Sequence, residues 1–531
     1  MERKNRGILK NKLFLYLTEF FSGMSVMAVE LGASRLLAPY FSSSQIVWTI
    51  IIGTIMIAMA LGNIYGGRTA DKSPNPDKLY GRIIVAALWI ALIPVVGKYI
   101  IVGISAVLIF SVNNNFLILA AFVACMVIFV FPLFLLGTVT PSLVKYSVSN
   151  LDDNGKTVGT LGAFNTIGSI IGTFVPTFVT IPAVGTSITF LIFAGILLAL
   201  SIVYFVMEKA GKKKVIASVL IFAFCCGTGY SDSFAFWENN LTYEGESVYN
   251  YLQVYENDKR VALSTNVLFG VQSVYMKQDE LTGMYYDYAM AAPLMIKDKP
   301  TDQMDVLILG MGTGTYATQC KKYFGNMNIE GVEIDEKITD LSRKYFSLSE
   351  DIPVTTYDGR AFLNASQKTY DVIMVDAYQD ITIPFQMSSK EFFELVKSHL
   401  KDDVNMNMRG MKEGNINQYL SDTIGSVFDT AVTVDVAGSS NRELFASDDS
   451  DIVKNLTKHT GELTNVNLKN MMQEVTSNLT EYQKGNYILT DDQAPVELLG
   501  MQVIDELIKD EVQYYKDIYK EQGIKGLIES L

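Results

Sequence analysis

The apolar residues of this 531-residue chain are concentrated before about residue 230, and this asymmetry constrains the fold more than any single motif does. Residues 1–229 carry 17 Lys and Arg against 8 Asp and Glu, a balance of +9, whereas residues 230–531 carry 26 against 48, a balance of −22. A wholly disordered chain is excluded, because the mean hydropathy is positive at +0.23. Two physically different parts therefore share one chain.

The apolar part predicts a polytopic α-helical membrane domain over residues 1–230. Stretches near the length needed to cross about 30 Å of hydrocarbon recur seven times, at 13–37, 47–66, 83–110, 116–140, 159–183, 186–206 and 215–230. Because the first stretch carries Glu19 and Glu30 and further stretches follow it, it does not predict a cleavable signal peptide. The sequence therefore predicts a multi-pass protein of the cell membrane.

Small residues one helical turn apart predict close helix contacts within this domain. Gly62 and Gly66 form one such pair, and Gly168 and Gly172 form a second. The pairs agree with tight packing alone and also with packing around a transport path, so both interpretations stay open for the membrane domain.

The acidic part predicts a small β-rich domain over 231–300 and a Rossmann-like α/β domain over 301–531. From 247 to 276 tyrosines and β-branched residues alternate with turn formers, as in antiparallel hairpins. Beyond a helix at 283–296, strands alternate with helices, which is typical of a parallel, doubly wound sheet that binds ligands at the carboxyl ends of its strands. The candidate strands are 305–310, 328–333, 353–357, 370–375, 403–408 and 430–435.

A glycine turn with Gly310, Gly312 and Gly314 follows the first of these strands and precedes a helix. Such a turn lets a ligand approach the backbone, and proteins that bind NAD, FAD or S-adenosylmethionine share it. Glu333 ends the second strand, where a carboxylate can accept two ribose hydroxyl groups. The pair of features predicts a nucleoside site.

Two further strand ends carry acids. Asp358 and Gly359 follow the third strand, and Asp376 and Asp380 follow the fourth. Because the carboxyl ends of parallel strands meet at one edge of the sheet, we expect three or four carboxylates to converge on the nucleoside site.

Histidine and cysteine usage narrows the chemistry. His399 and His459 are the only histidines, which excludes His-rich metal sites and most Ser/His or Cys/His triads, and no metal is expected. The four cysteines lie in apolar spans or in a helix opening and do not indicate a disulfide framework.

These motifs, taken with several others, resemble the spermidine synthase (polyamine aminopropyltransferase) family in its membrane-fused form, in which a polytopic segment precedes the synthase domain. The combination is more specific than any one motif and covers nearly the whole chain. Besides the strand-end motifs, the matching segments are 30–35, 66–71, 285–294, 383–384 and 489–497.

The resemblance implies an enzyme that moves an aminopropyl group from decarboxylated S-adenosylmethionine to an amine such as putrescine and releases methylthioadenosine. It implies no prosthetic group, since the sulfonium nucleoside is a co-substrate. It also implies Asp376 as the catalytic base. The implied donor residues are Gln272, Gly310, Gly312, Thr313, Gly314, Glu333, Asp335, Asp358 and Gly359, and the implied acceptor residues are Tyr285, Asp287 and Asp380.

The chain departs from the family at three of these positions. Thr313 stands where soluble relatives carry an aspartate that binds the aminopropyl ammonium, so intact S-adenosylmethionine is no longer strongly excluded by repulsion. Asp380 lies one residue further from Asp376 than in the usual pair, and Gln379 is therefore a second candidate for the amine anchor. The Tyr-His-Glu run of the family is Tyr-Tyr-Asp at 285–287.

Two alternatives stay open at this point. One is an enzyme that uses intact S-adenosylmethionine, by aminocarboxypropyl transfer, by cyclisation or elimination, or by methyl transfer. The other is a polyamine transporter or sensor whose C-terminal half binds a nucleoside without turnover. A dehydrogenase is disfavoured, because a simple dinucleotide site leaves Asp358 and Asp376 without a role.

The resemblance and the charge pattern also predict binding partners and the side of the membrane on which the acidic half lies. Besides the amine acceptor and the lipid bilayer, a homodimer is expected by analogy with soluble relatives, and nucleic acid is not an expected partner. Basic clusters at 3–12, 68–82 and 209–214 place the N-terminus and two connections inside, and a seventh crossing would then put the acidic half outside. The supply of sulfonium donors favours the cytoplasm, so we expect a cytoplasmic synthase region, with 215–230 either lying on the membrane surface or entering the membrane and turning back.

Overall fold

A computed structural model describes residues 8, 11–41, 43–109, 115–147, 154–231, 233–238, 240–267, 271–377, 383–409, 416–439, 441–502, 513 and 517. The chain divides into two compact units, Met1–Trp237 and Glu238–Leu531. This division lies close to the boundary at residue 230 that the change in composition predicts.

The described part of the N-terminal unit is helical. A five-residue π-helix at Pro176–Thr180 joins its sixth and seventh helices, and Gly185, at φ 81°, interrupts the helical backbone early in the seventh. The helices are α1 (Lys12–Phe41), α2 (Gln45–Lys72), α3 (Pro76–Ile109), α4 (Phe116–Gly137), α5 (Val139–Ser147), α6 (Asn154–Val175), α7 (Ile181–Met207) and α8 (Lys212–Thr228).

Five helical stretches among the described residues are long and apolar enough to cross a bilayer. The last of them has 53 residues and contains two of the predicted spans, 159–183 and 186–206, on either side of the Gly185 kink. The seventh predicted span coincides with α8, whose 17 residues fall short of the roughly 20 that a crossing helix needs. The five stretches are Lys12–Phe41, Gln45–Lys72, Pro76–Leu108, Phe116–Ser147 and Gly155–Met207.

Both glycine pairs of this unit lie where helices touch backbone to backbone. A Cβ atom added at Gly168 would lie 2.0 Å from the carbonyl oxygen of Phe20, and one at Gly62 would lie 2.3 Å from that of Phe134. The second glycine of each pair makes a similarly close approach one turn further on. The predicted close contacts are confirmed, and they join α1 to α6 and α2 to α4.

A buried carboxylate links three helices of this unit. Glu19 of α1 is fully buried, and its Oε1 accepts hydrogen bonds from Thr140 Oγ1 of α5 at 2.5 Å and from Asn165 Nδ2 of α6 at 2.8 Å. A buried polar group is stable in an apolar environment only when it is hydrogen-bonded. The two hydrogen bonds of Glu19 therefore connect α1 to α5 and to α6.

The C-terminal unit contains two sheets. A four-stranded antiparallel sheet, in the order β1-β2-β3-β4, precedes an eight-stranded sheet in the order β12-β10-β11-β9-β8-β5-β6-β7. The strands are β1 (Leu241–Glu246), β2 (Tyr251–Glu256), β3 (Arg260–Ser264), β4 (Ser273–Met276), β5 (Asp305–Leu309), β6 (Asn328–Glu333), β7 (Val354–Thr356), β8 (Tyr370–Val375), β9 (Leu400–Arg409), β10 (Thr430–Asp435), β11 (Asn441–Ser447) and β12 (Thr480–Glu481).

The helices of this unit connect the strands and cover the larger sheet. Two short helices occupy the predicted helical segment at 283–296. The helices are α9 (Tyr285–Ala289), α10 (Ala291–Met295), α11 (Thr315–Phe324), α12 (Glu336–Tyr345), α13 (Gly359–Ala365), α14 (Lys390–Ser398), α15 (Ile416–Val427), α16 (Ile452–Glu462) and α17 (Val466–Asn478).

All six predicted strands of the larger sheet are confirmed and run in one direction, but the prediction of a purely parallel sheet is wrong. Strands β7, β6, β5, β8 and β9 run parallel, but β11, which the sequence pattern missed, lies antiparallel between β9 and β10. The reason is a tight turn, in which the amide of Ser439 donates to the carbonyl of Val436 and Gly438 takes φ 70°, so that β10 and β11 form a hairpin.

The larger sheet has a separate apolar core on each face. Along β8 the side chains alternate, since Val372 and Met374 belong to one core and Ile373 and Val375 to the other. The first core includes Tyr285 of α9 and Tyr316 of α11, so these two helices lie over the same face as Met374. Tyr285, Tyr316 and Met374 of this core also line a cleft of the same unit.

Candidate active site

A cleft lies in the C-terminal unit at the carboxyl ends of β5, β6 and β8. One wall is formed by these strand ends and the other by the four-stranded sheet, through residues of β3, β4 and their connection. This is the position at which the strand pattern predicts a ligand. Its lining includes Tyr249, Asn250, Thr265, Gln272, Tyr285, Tyr286, Gly310, Gly312, Tyr316, Glu333, Ile334, Tyr357, Asp358, Gly359, Met374, Asp376 and Met387.

The glycine turn after β5 forms the floor of the cleft. Gly310 has φ 85°, and a Cβ atom there would lie 2.4 Å from the carbonyl oxygen of Asp376, so no larger residue fits. The amides of Gly310 and Met311 both donate to the carbonyl of Val332, at 2.9 and 3.0 Å. The turn therefore fixes the ends of β5, β6 and β8 against one another.

Glu333 is held rigidly at the end of β6. Its Oε2 accepts from the amide of Gly312 at 2.8 Å, and its Oε1 accepts from the amide of Asp335 at 3.0 Å. Burial raises the pKa of Glu333 to about 7, although both amide hydrogen bonds oppose the shift. A buried, oriented carboxylate at this strand end has the position that ribose recognition requires.

Asp358 caps the helix that follows β7. Its Oδ1 accepts from the amide of Ala361 at 2.8 Å, which fixes the carboxylate at the N-terminus of α13 and at the edge of the cleft. Ile334 and Tyr357, which are 40% and 53% exposed, lie on the same side of the cleft. An apolar and an aromatic surface therefore stand beside a fixed hydrogen-bond acceptor.

Asp376 follows β8 directly and faces the opposite part of the cleft. Its amide donates to the carbonyl of Leu309 at 2.8 Å, so the chain is still extended at this residue. Its Oδ2 accepts a hydrogen bond of 2.6 Å from the hydroxyl of the buried Tyr285. Burial, with the neighbouring Asp376 carboxylate as a second cause, raises the pKa of Tyr285 well above its ordinary value, so the phenol stays a donor.

The aromatic pair Tyr285 and Tyr286 forms the wall beside Asp376. Their ring centroids lie 4.0 Å apart, and the hydroxyl of Tyr286 donates to the carbonyl oxygen of Gln272 at 2.5 Å. Aromatic faces next to a carboxylate attract cations such as a sulfonium or an alkylammonium. The second residue of the pair was named in the sequence motif but was not assigned to the site.

Several predicted site residues are absent from the described lining of the cleft. Thr313 is buried and shares a 3.1 Å hydrogen bond with Thr315, and Gly314 packs against Leu348. Asp287 is fully buried and accepts from Thr282, Gly283 and Gln319, so it organises the start of α9, and its burial raises its pKa. Asp380 and Gln379 lie outside the described residues.

Asp335 acts on the cleft indirectly. Its Oδ2 accepts from Ser247 Oγ at 2.5 Å and from Asn250 Nδ2 at 2.9 Å, and its Oδ1 caps α12 through the amide of Lys337. These contacts hold the turn between β1 and β2, which brings Tyr249 and Asn250 into the lining. Asp335 is thus a positioning residue.

Sequence reasoning missed Tyr249, Asn250, Tyr316 and Ile334 as lining residues. Tyr249 and Asn250 lie in a hairpin turn that the alternation pattern does predict, but their approach to β6 depends on a hydrogen bond between distant segments. Ile334 directly follows Glu333 in the sequence, and this adjacency to a predicted site residue was the one signal that could have placed it in the lining.

The charged side chains in the described lining of the cleft are all acidic. Glu333, Asp358 and Asp376 contribute carboxylates, and the described lining contains no Lys, Arg or His. A positively charged ligand is therefore attracted, whereas a ligand with an additional carboxylate meets no described cation in the cleft wall.

Comparison with known proteins gives a consistent result. A family model described as a spermine/spermidine synthase domain matches residues 284–437. A probable polyamine aminopropyl transferase of Bifidobacterium longum is 51% identical over 354 residues, which are 63% of this chain and 78% of that protein. A polyamine aminopropyltransferase of Vibrio vulnificus is 25% identical over 219 residues, 40% of this chain and 72% of that one.

Among solved structures, a probable spermidine synthase from Corynebacterium glutamicum is similar at 18% identity and a TM-score of 0.37, over 47% of this chain and 98% of that chain. A spermidine synthase in complex with the transition-state analogue AdoDATO is similar at 19% identity and a TM-score of 0.37, over 45% of this chain and 84% of that chain.

Proposed function

This chain belongs to the polyamine aminopropyltransferase family, and from that premise we propose that its cleft transfers an aminopropyl group from decarboxylated S-adenosylmethionine to a polyamine-type amine, releasing methylthioadenosine. The observation that carries the proposal is the pairing of Asp376 with Tyr285 in a cleft that also holds Glu333 and Asp358. A nucleoside site and a base for an amine therefore face one space.

The nucleoside half of the donor fits the β6 and β7 end of the cleft. Both oxygens of Glu333 are oriented by backbone amides and can accept ribose hydroxyl groups. Asp358 Oδ2 can accept from the exocyclic amine of adenine, while Ile334 and Tyr357 supply surfaces for the base. The sulfonium then extends along the glycine turn toward Gln272 and the tyrosine pair.

Asp376 is the group that activates the acceptor. An alkylammonium has a pKa near that of lysine, about 10, so at neutral pH its nitrogen has no free electron pair. Asp376 accepts a proton from this nitrogen, which then forms a bond to the methylene carbon beside the sulfur. The carbon–sulfur bond breaks, its electron pair returns to sulfur, and the sulfonium becomes the neutral thioether of methylthioadenosine.

Tyr285 keeps Asp376 in position for this step. Its phenol donates to Oδ2 of the carboxylate, and Asp376 lies in the lining of the cleft, where the amine approaches. A sulfonium is already a good leaving group, so the proposed step uses this base and correct positioning of the two substrates.

The charges of the cleft favour the decarboxylated donor over the intact one. Thr313 is buried against Thr315, so the glycine turn offers no carboxylate to repel intact S-adenosylmethionine. However, no described Lys or Arg lines the cleft to pair with the extra carboxylate of the intact donor. Three carboxylates around the site favour a donor whose side chain is purely cationic.

We further propose that the N-terminal unit anchors the enzyme in the cell membrane. Five helical stretches have the length and composition to cross a bilayer. Large apolar side chains are exposed along α2 and α8, where lipid would cover them; they include Ile52, Met56, Leu61, Ile64, Ile216, Leu220 and Phe224. The supply of donor supports a cytoplasmic catalytic unit, and protease protection of the C-terminus in sealed vesicles tests this placement.

Product analysis tests the activity itself. The purified full-length chain is incubated with putrescine and either decarboxylated or intact S-adenosylmethionine, and the nucleoside product is identified by mass spectrometry. Methylthioadenosine and spermidine from the decarboxylated donor support the proposal. Methylthioadenosine from the intact donor indicates aminocarboxypropyl transfer or elimination, and S-adenosylhomocysteine indicates methyl transfer; either result, without turnover of the decarboxylated donor, would overturn the proposal.

A further inference from the structure

An ion pair joins the segment 489–497 to the first turn of α13. Nη1 and Nη2 of Arg360 donate to Oδ1 and Oδ2 of Asp491 at 2.6 and 2.7 Å, so the contact is bidentate. The side chain of Arg360 is 21% exposed and that of Asp491 is 40% exposed. Because a bidentate contact between a guanidinium and a carboxylate fixes direction as well as distance, it holds its two partners in one orientation.

Asp491 is anchored independently at the start of α14. Its Oδ1 also accepts from Ser389 Oγ at 2.6 Å, and the same hydroxyl accepts from the amide of Phe392 as the cap of α14. The amide of Lys390 donates to the carbonyl of Leu489 at 2.9 Å. Asp491 is therefore a fixed carboxylate, and the guanidinium is oriented against it.

The guanidinium of Arg360 also reaches the wall of the cleft. Its Nη1 donates to the carbonyl of Gln386 at 3.0 Å. Gln386 belongs to the 3-10 turn Phe385–Met387, which contributes to the lining of the cleft. Arg360 thereby connects this turn to the start of α13, where Asp358 and Gly359 line the cleft as well.

The 3-10 turn and the start of α13 also touch directly. A Cβ atom added at Gly359 would lie 3.0 Å from Cε of Met387. Asp358, one residue earlier, has its Oδ1 fixed by the amide of Ala361. The position of the turn and the direction of the Asp358 carboxylate are therefore coupled through the first turn of α13, and Arg360 lies at this junction.

We propose that Arg360 and Asp491 are positioning residues that set the specificity of the cleft for the base of the sulfonium donor. Their ion pair holds the 3-10 turn against the start of α13, so that Asp358 and the wall beside it keep one arrangement around the base. Neither Arg360 nor Asp491 belongs to the described lining of the cleft, so both act through the residues that do. The inference rests on the proposed transferase activity, in which Asp358 accepts from the exocyclic amine of adenine, and adds a specificity determinant to it.

Loss of the Asp491 carboxylate removes the fixed direction of the guanidinium. The carbonyl of Gln386 is then the described hydrogen-bond acceptor that remains for the Arg360 side chain. A guanidinium stays charged and can turn toward solvent, so the 3-10 turn is no longer held in place. Hydrogen bonds weaken steeply when their geometry is disturbed. The hydrogen bond to the exocyclic amine should therefore weaken more than the less directional contacts of the base.

Two neutral ligands separate this effect from a general loss of binding. Methylthioadenosine carries the exocyclic amine, and its 6-deamino analogue carries a hydrogen atom in that place. The ratio of their two dissociation constants measures what the hydrogen bond to the amine contributes, because the other substituents of the two ligands are the same. Calorimetric titration of the purified full-length chain gives both constants.

The variants are Asp491→Asn, Arg360→Gln and the double variant. Asp448→Asn is the matched control, because Lys397 Nζ likewise donates to a carboxylate, that of Asp448 at 2.7 Å, and to a carbonyl, that of Val427 at 2.9 Å. None of these three residues belongs to the described lining of the cleft. Thermal unfolding of each variant, measured in parallel, reports on the fold.

We expect the wild-type chain to bind methylthioadenosine about ten- to a hundredfold more tightly than the analogue, as one hydrogen bond to a charged group implies. Asp491→Asn and Arg360→Gln should each lower this ratio about three- to tenfold. The double variant should lower it no further, because both substitutions remove the same contact. Asp448→Asn should keep the wild-type ratio.

An unchanged ratio in both single variants, or reductions that add in the double variant, would overturn the inference. An equal reduction in Asp448→Asn would overturn it as well, since that result would reflect a general loosening of the unit. If Asp491→Asn does not fold, Arg360→Gln decides by itself, with the same expected reduction. If the wild-type chain binds neither ligand or does not distinguish them, it is the proposed donor site that fails, and the inference falls with it.

Discussion

The hydroxyl of Tyr285 donates a 2.6 Å hydrogen bond to Oδ2 of Asp376, across 91 positions of the sequence. Tyr285 belongs to α9 and is buried in the core on one face of the sheet, while Asp376 extends from β8. The hydrogen bond thus joins the core to Asp376, the proposed base of the transfer reaction. It favours the carboxylate form of Asp376, because a donor stabilises the charged acceptor.

Removal of this hydrogen bond should slow the reaction without abolishing it. Tyr285→Phe removes a donor to a charged group, a loss of about 1.5–3 kcal/mol, which corresponds to about ten- to a hundredfold in kcat. The pKa of Asp376 should rise, so the acidic limb of the pH profile of kcat/KM should move to higher pH. Stopped reactions with quantified methylthioadenosine measure both effects.

Tyr288→Phe is the matched control for this substitution. Tyr288 lies in the same helix and is also buried, but its hydroxyl accepts from the amide of Ala437 instead of contacting Asp376. Its pH profile should coincide with that of wild type. An acidic limb that shifts equally in both variants would mean that Tyr285 acts only through the stability of α9.

Glu333 makes nucleoside binding dependent on pH. Burial raises its pKa to about 7 from its ordinary 4.5, so below pH 7 an increasing fraction of the folded chain carries the protonated acid. The protonated acid has lost part of its capacity to accept ribose hydroxyl groups. We expect the affinity for methylthioadenosine to fall about tenfold per pH unit below 7 and to level off above it.

The titration of Glu333 also makes the stability of the fold depend on pH. Stability changes in the opposite direction to the affinity for methylthioadenosine. Because the raised pKa means that the folded state binds the proton more tightly, the contribution of Glu333 to the free energy of unfolding falls as the pH rises from 4.5 to about 7. Glu333→Gln should remove both pH dependences. Calorimetric titration and denaturant unfolding at several pH values measure them, and an unchanged dependence in the variant would assign it to another group.

Gly310 is expected to tolerate no side chain. A Cβ atom there would lie 2.4 Å from the carbonyl oxygen of Asp376, in addition to the cost of about 1–2 kcal/mol for an alanine at φ 85°. Gly438→Ala is the control, because Gly438 has φ 70° and no heavy atom within 4 Å of its added Cβ. Gly310→Ala should lower the free energy of unfolding by at least about 1 kcal/mol more than Gly438→Ala. If both variants lose the same free energy of unfolding, the loss at Gly310 comes from backbone strain alone and not from the contact with Asp376.

The packing of the helical unit can be tested in the same way. A Cβ atom at Gly168 would lie 2.0 Å from the carbonyl oxygen of Phe20, whereas one at Gly162, also on α6, has no heavy atom within 4 Å. Gly168→Ala should therefore lower the thermal stability of the detergent-solubilised chain, and Gly162→Ala should not. Similar melting temperatures for the two variants would contradict the close approach of α1 and α6.

The sequence predicted most of the elements that build the site, because local patterns specify them. Glu333 ends β6, whereas the glycine turn, Asp358 and Asp376 follow β5, β7 and β8, and each of these features contributes to the observed cleft. Strand β11 was missed, since its place in the sheet depends on a hairpin with β10.

Roles that depend on contacts between distant segments were not predictable in this way. Thr313 lies in the correct turn, but its side chain pairs with Thr315 and is absent from the described lining of the cleft. Asp335 lies beside Glu333 in the sequence, yet its carboxylate holds Ser247 and Asn250 of the smaller sheet. Adjacent residues point in different directions, and only the three-dimensional packing decides which of them meets the ligand.

The proposed role of Asp376 as the base is tested most directly by the rate at which Asp376→Asn releases methylthioadenosine from decarboxylated S-adenosylmethionine in the presence of putrescine. Asparagine keeps the size of the side chain and its contact with Tyr285 but cannot take a proton from the amine. We expect kcat to fall about a hundred- to ten-thousandfold, while the dissociation constant of methylthioadenosine stays unchanged. A variant that turns over at the wild-type rate would contradict the assignment of Asp376 as the base.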